Sequence, residues 1–164
     1  MTGLYKAALI VHIFSAMIWV GGVLFIGMIA VPATRKLPVG LRRQLMTDLG
    51  NRFRTVGWTA LVLLIISGSY MMYFWGARWG NLLDLSFFTA PHTATLGKKL
   101  ILVGLMLAAS GVHDWYLGPL ASREGHTPEA AERYRKIASW LGRVTAILVL
   151  GIVVLAIFVA RPWV

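Results

Sequence analysis

Four long apolar runs constrain this chain more than anything else in it: Ala7 to about Val31, Val56 to Trp75, Leu100 to Leu117, and Val144 to Ala160. At about 1.5 Å of rise per helical residue, each is close to the roughly 30 Å hydrocarbon core of a bilayer. Spanning β-strands would instead alternate apolar and polar residues in segments of about ten. The expected fold is an all-α integral membrane protein, with four transmembrane helices in an antiparallel up-down bundle. A single domain over residues 1–164 is expected, with spans near 7–31, 56–75, 100–117 and 144–160.

Composition agrees. Of 164 residues, 58% are hydrophobic and 13% charged, with a mean hydropathy of +0.72. Soluble domains average about 45–50% apolar and about 25% charged. A chain this short cannot bury so much apolar surface within itself, so lipid covers the rest. The first run is longer than the apolar part of a cleaved signal peptide, which reads as a retained span. There is no cysteine, which excludes disulfides, iron–sulfur clusters, thiolate zinc sites and covalent c-type haem. No Ser-His-acid set falls at matched depth and no glycine-rich phosphate loop is present, so hydrolytic chemistry has no constellation.

The net charge of +10 raises a nucleic-acid reading, but the basic residues gather at the ends of the apolar runs, where they meet headgroups and set topology. No nucleic-acid partner is expected. Arg35, Lys36, Arg42, Arg43, Arg52 and Arg54 lie between runs one and two, and Arg123, Arg133, Arg135, Lys136 and Arg143 between three and four. The middle connection holds Arg78, Lys98 and Lys99, and the ends add Lys6 and Arg161. The positive-inside rule then puts the two basic loops in the cytoplasm and both termini outside, in a bacterial cytoplasmic membrane.

Helices are expected to project beyond the membrane. Thr127-Pro128-Glu129 reads as a cap, a first-turn proline and an early acid, which starts helix four near Pro128. Pro38 is expected to open a helix running into the second span, and Pro91-His92 to precede helix three. Tyr73, Phe74, Trp75 and Trp79 at one level, and Trp115 and Tyr116 at the other, read as aromatic belts. Gly21-Gly22, Gly27, Ala108-Ala109 and Gly111 read as close helix packing.

Ionisable side chains at membrane depth are costly, so each is a functional candidate. These are His12 in helix one and His113 with Asp114 in helix three; His92 lies just outside helix three and His126 in the inner loop. A buried histidine is either a satisfied polar contact or a ligand for haem iron or a metal. By residue counting, His12 sits about 10 Å to the outer side of its run's midpoint and His113 about 7 Å to the inner side. That offset favours His12 with His92 as a bis-histidine pair. Asp114 is expected about 100° around the helix from His113, facing Arg52 or Arg54, or forming an inner proton or metal relay. Helix three reads as ending in the polar, turn-forming stretch from His113 to Pro119. Met17, Met28, Met71, Met72 and Met106 are soft ligands for copper in principle but lack a repeated spacing.

At these residues the sequence resembles the copper-resistance D (CopD) family of bacterial membrane proteins. The matching stretches are His12 through Gly22 (HIFSAMIWVGG), Arg52-Phe53, Gly57-Trp58, Ser67-Gly68, Lys99-Leu100, His113-Asp114 and Leu117-Gly118-Pro119. More distantly it looks like the HemJ-type protoporphyrinogen oxidases, through His12, Lys99 to Val103, and His113. Those proteins carry a histidine just before the Lys-Leu of helix three, where this chain has Gly97-Lys98. The resemblance implies haem b binding or copper handling, with His12 and His113 as the residues to carry over.

The resulting expectation is a haem b protein with an electron-transfer or redox role between a quinone-level donor and a redox partner protein. His12 is one axial ligand and His92 or His113 the other, with Lys98 and Lys99 near the propionates or snorkelling to headgroups. The alternatives are a copper transport or homeostasis accessory protein without haem, and a structural subunit of a larger membrane complex or oligomer.

Overall fold

The structure, a computed structural model, describes residues 3–90, 93–122 and 128–160. Among the described residues there is no strand, and four helices are long and apolar enough to cross a membrane. These are α1 (Gly3–Lys36), α2 (Val39–Phe74), α4 (Ala94–Leu120, with helical backbone continuing to Ser122) and α5 (Pro128–Ala160). A single-turn helix, α3 (Ser86–Thr89), lies in the middle connection. The chain is an all-α, multi-pass membrane protein; the expected spans 7–31, 100–117 and 144–160 lie inside these helices, and 56–75 runs one residue past Phe74.

Two compact units are described, Met1–Trp79 and Gly80–Val164. The first is an antiparallel pair. α1 stops because Leu37 precedes proline, which pushes it to extended backbone (φ −81°, ψ 152°). Pro38 then takes the N-cap position of α2, and the Arg42 N–H bonds the Pro38 carbonyl at 2.9 Å. From this two-residue turn α2 runs 36 residues without a break. It ends at Gly76, whose φ of +85° is the left-handed conformation that glycine adopts without a Cβ penalty. The Gly76 N–H bonds the Tyr73 carbonyl, and the Ala77 N–H the Met72 carbonyl. That is a Schellman closure, satisfying carbonyls the helix end would otherwise orphan.

The pair interlocks where one helix presents glycine and the other a ring. A methyl at Gly22 would collide with the Phe53 ring, and one at Gly57 would lie 3.4 Å from Trp19 Cδ1. Near the chain's start, the buried Tyr5 ring lies 4.6 Å from that of Phe74, and Trp75 Nε1 donates to Tyr5 Oη at 2.9 Å. With no hydrophobic effect between helices in lipid, such close packing and hydrogen bonding hold a pair together. Of the small residues expected at interfaces, Gly22 is one; Gly21 and Gly27 have nothing within 4 Å of their Cβ positions.

In the second unit α4 packs on α5, where a methyl at Gly151 would lie 3.2 Å from Leu102. Leu102 lies 20 residues before Ser122 and Gly151 lies 23 residues after Pro128, so the contact between them makes α5 antiparallel to α4. α5 begins at Pro128, as expected; its capping Thr127 lies outside the described residues.

Both α1 and α4 contain a π-turn immediately before a proline. Val31 bonds back to the Ile26 carbonyl ahead of Pro32, and Gly118 to the His113 carbonyl ahead of Pro119. A proline lacks the N–H for the carbonyl four residues back and crowds it; widening the preceding turn moves that carbonyl aside. The expectation that helix three ends in the His113–Pro119 stretch is therefore corrected, since the helix continues through Pro119 to Ser122.

Candidate functional site

His12 lies about one and a half helical turns into the apolar part of α1, half-buried against α2. Its Nδ1 is 3.0 Å from Ser67 Oγ, and that hydroxyl is 2.6 Å from the Leu63 carbonyl one turn back. A serine carries one proton, and a carbonyl can only accept. Ser67 therefore donates to Leu63 and accepts from His12, whose Nδ1 carries a proton. The ring approaches α2 this closely because residue 68 is glycine: a methyl there would lie 3.1 Å from His12 Cε1 and 3.5 Å from Nδ1. Ser67 is 3% exposed, so the contact is water-excluded on the α2 side.

Ser67 was not picked out from the sequence as a partner for His12, though it belongs to a stretch that carries the resemblance. A signal was available. Gly22 and Phe53 are equidistant along the chain from the Leu37-Pro38 turn, and Trp19 and Gly57 nearly so. Folding the sequence back at Pro38 sets His12 opposite Leu63, one helical turn from Ser67 and on the same face of α2.

In the second unit His113 and Asp114 form a pair of their own, with Nδ1 and Oδ1 2.9 Å apart and side chains 40% and 25% exposed. Neighbours on an α-helix diverge by about 100°, and on that basis Asp114 was expected to point away. The π-turn Val112–Leu117 contains both residues, and its wider turn reduces the divergence. Within the first unit Arg54 donates to Asn51 Oδ1 at 2.9 Å, and Arg52 is exposed.

The chain is 29% identical over 150 residues to an uncharacterized protein of Aquifex aeolicus (strain VF5). The match spans 91% of this chain and 90% of that protein. It is similar to a protein of nearly the same length, and the likeness extends beyond either unit alone. No family model matches the chain, and no solved structure matches it.

His12 and His113 thus sit in different units, each with an oxygen at its Nδ1. His92 and His126 lie outside the described residues. Among the described residues no three His, Asp or Glu side chains cluster as a metal site would. Of the methionines, Met72 and Met106 are buried, with Ser110 donating to the Met106 sulfur at 3.8 Å, whereas Met17 and Met28 are exposed. Lys98 is exposed and Lys99 half-buried in the first turns of α4.

Proposed function

We propose that this chain is a haem b-binding protein of a bacterial cytoplasmic membrane, with His12 as an axial ligand and a role in electron transfer. The observation that carries the reading is the Ser67 hydroxyl at His12 Nδ1. A histidine that binds a metal through one ring nitrogen almost always donates its other N–H to a fixed oxygen, which sets tautomer and ring orientation. A proton on Nδ1 makes Nε2 the ring nitrogen that would ligate iron when the imidazole is neutral. The haem would supply one-electron redox chemistry. This chain's residues would ligate, orient the imidazole and exclude water. Asp114 at His113 Nδ1 is the same device in the second unit, where His113 is by itself a candidate ligand.

A quinone-level donor and a partner protein belong to this reading, as do cytoplasmic placement of the basic connections and of the projecting ends of α2 and α5. One observation favours a second reading, a structural subunit of a larger complex. The same hydrogen bond by itself clasps α1 to α2, and Gly22, Gly57 and Gly68 are accounted for by that interface.

The visible spectrum of detergent-purified protein, oxidised and then dithionite-reduced, separates the two. A Soret band with sharp reduced α and β bands, lost in His12→Ala, is expected. A colourless protein from haem-replete cells would sink the cytochrome reading. Retention of the reduced bands in His12→Ala would remove His12 as ligand.

A further inference from the structure

We propose that the segment from Trp79 to Leu85 is a shallow membrane-interface anchor, with Leu83 and Leu85 inserted among the lipid headgroups and upper acyl chains. These two are the most exposed large apolar side chains among the described residues, at 93% and 82%. They stand on a 3-10 turn (Trp79–Leu83) and the residues that follow it, a connection where solvated polar residues are the norm. Trp79, 52% exposed, begins the segment, and tryptophan favours the membrane–water boundary.

Packing within the second unit sets the level at which the leucines sit. α3 folds back onto α4: Phe87 is buried, Phe88 meets its ring edge-on at 5.7 Å, and a methyl at Gly97 would lie 2.7 Å from the Phe88 ring. Gly97 directly precedes Lys98 and Lys99, and the apolar run begins at Leu100. Phe88 is therefore held at the height where basic side chains meet headgroups. Leu85 immediately precedes α3, and Leu83 lies two residues before it. The leaflet that surrounds α4 is thus the surface within their reach. A second copy or another protein would need a protruding face to cover, and none is presented by so short a turn. Asp84 lies between the leucines, its Oδ1 accepting the Ser86 N–H at 2.9 Å. A capping carboxylate there favours the headgroup region over the hydrocarbon interior, which is why the anchor is shallow.

The chain has no cysteine, so Leu83→Cys, Leu85→Cys and the exposed control Gln44→Cys each give one labelling site. Each full-length variant is labelled with a nitrobenzoxadiazole fluorophore and reconstituted into phosphatidylcholine–phosphatidylglycerol vesicles, with or without brominated acyl chains. The expected result is blue-shifted emission for labels at 83 and 85, strong quenching by bromines near the headgroup end of the chain, and weak quenching by aqueous iodide. The Gln44→Cys label should show the reverse. Iodide quenching at 83 and 85 equal to the control, with no effect of bromolipid, overturns the proposal. Shielding from both quenchers also overturns it, because protein then covers the leucines. The two sites report independently, so poor yield of one variant leaves the other to decide.

Discussion

The hydrogen bond between His12 and Ser67 yields the most discriminating prediction, because its two partners come from different helices of one unit. Ser67→Ala removes the acceptor for the His12 Nδ1–H, while the Leu63 carbonyl keeps its place in the helix ladder. Polar contacts between membrane helices measured by double-mutant cycles average about 0.6 kcal/mol and reach about 1.7. Leaving a buried donor unpaired costs about 1–3 kcal/mol. Here the bond is 3.0 Å long and Ser67 is 3% exposed, but the His12 ring is only half-buried. Ser67→Ala is therefore expected to destabilise by about 1 kcal/mol, a roughly five-fold change in the unfolding equilibrium constant. In a cycle with His12→Ala, the coupling should likewise be about 1 kcal/mol. The assay is reversible unfolding in mixed dodecyl maltoside–SDS micelles, followed by tryptophan fluorescence. A coupling within about 0.3 kcal/mol of zero, the scatter of independent sites, would refute the tautomer argument and with it the support it lends to iron ligation.

Other consequences can be checked on the same purified protein. Gly22→Ala should cost about 1–3 kcal/mol, the usual range for overpacking, because its methyl meets the Phe53 ring. Gly21→Ala, with nothing within 4 Å, should be close to neutral, and equal stability of the two would contradict the interface. Pro119→Ala restores the missing N–H and should let the π-turn relax to α-helix, separating His113 from Asp114. The readout is the imidazole 15N shifts of His113, and unchanged shifts would show that packing rather than proline sets the turn. Asp84, in the connection outside the spans, accepts the Ser86 N–H, which holds its carboxyl below the ordinary carboxylate value. Its support for α3 is thus fully present above the ordinary carboxylate range and is lost as pH falls through the lowered folded value. Amide exchange protection at Phe88 and Thr89 should follow that course. In Asp84→Asn it should become independent of pH, and a persisting acid transition would assign the effect elsewhere.

The class of protein and most helix boundaries are legible in the residues alone, because lipid and the backbone act locally. Four runs of span length without alternating polarity are helices, since peptide groups in hydrocarbon must all be bonded and the barrel alternative needs short alternating strands. Pro38 sets the turn between α1 and α2 through the restriction it places on Leu37, a one-residue effect visible in the sequence. The start of α5 at Pro128 was legible for the same kind of reason. Tertiary structure alone decided what each polar side chain faces. Ser67 and Ser69 look alike in sequence, yet Ser69 Oγ bonds back to Ile65 while Ser67 also meets His12. Two residues around a helix is about 200°, and which of the two meets α1 depends on how α1 is rotated and where it sits along α2. His113 and Asp114 make the same point in reverse. Counting 100° per residue separates them, yet within the π-turn ahead of Pro119 their Nδ1 and Oδ1 lie 2.9 Å apart. A proline marks where a helix can widen or end, and the sequence does not say which; here α4 passes through Pro119 and packs on α5.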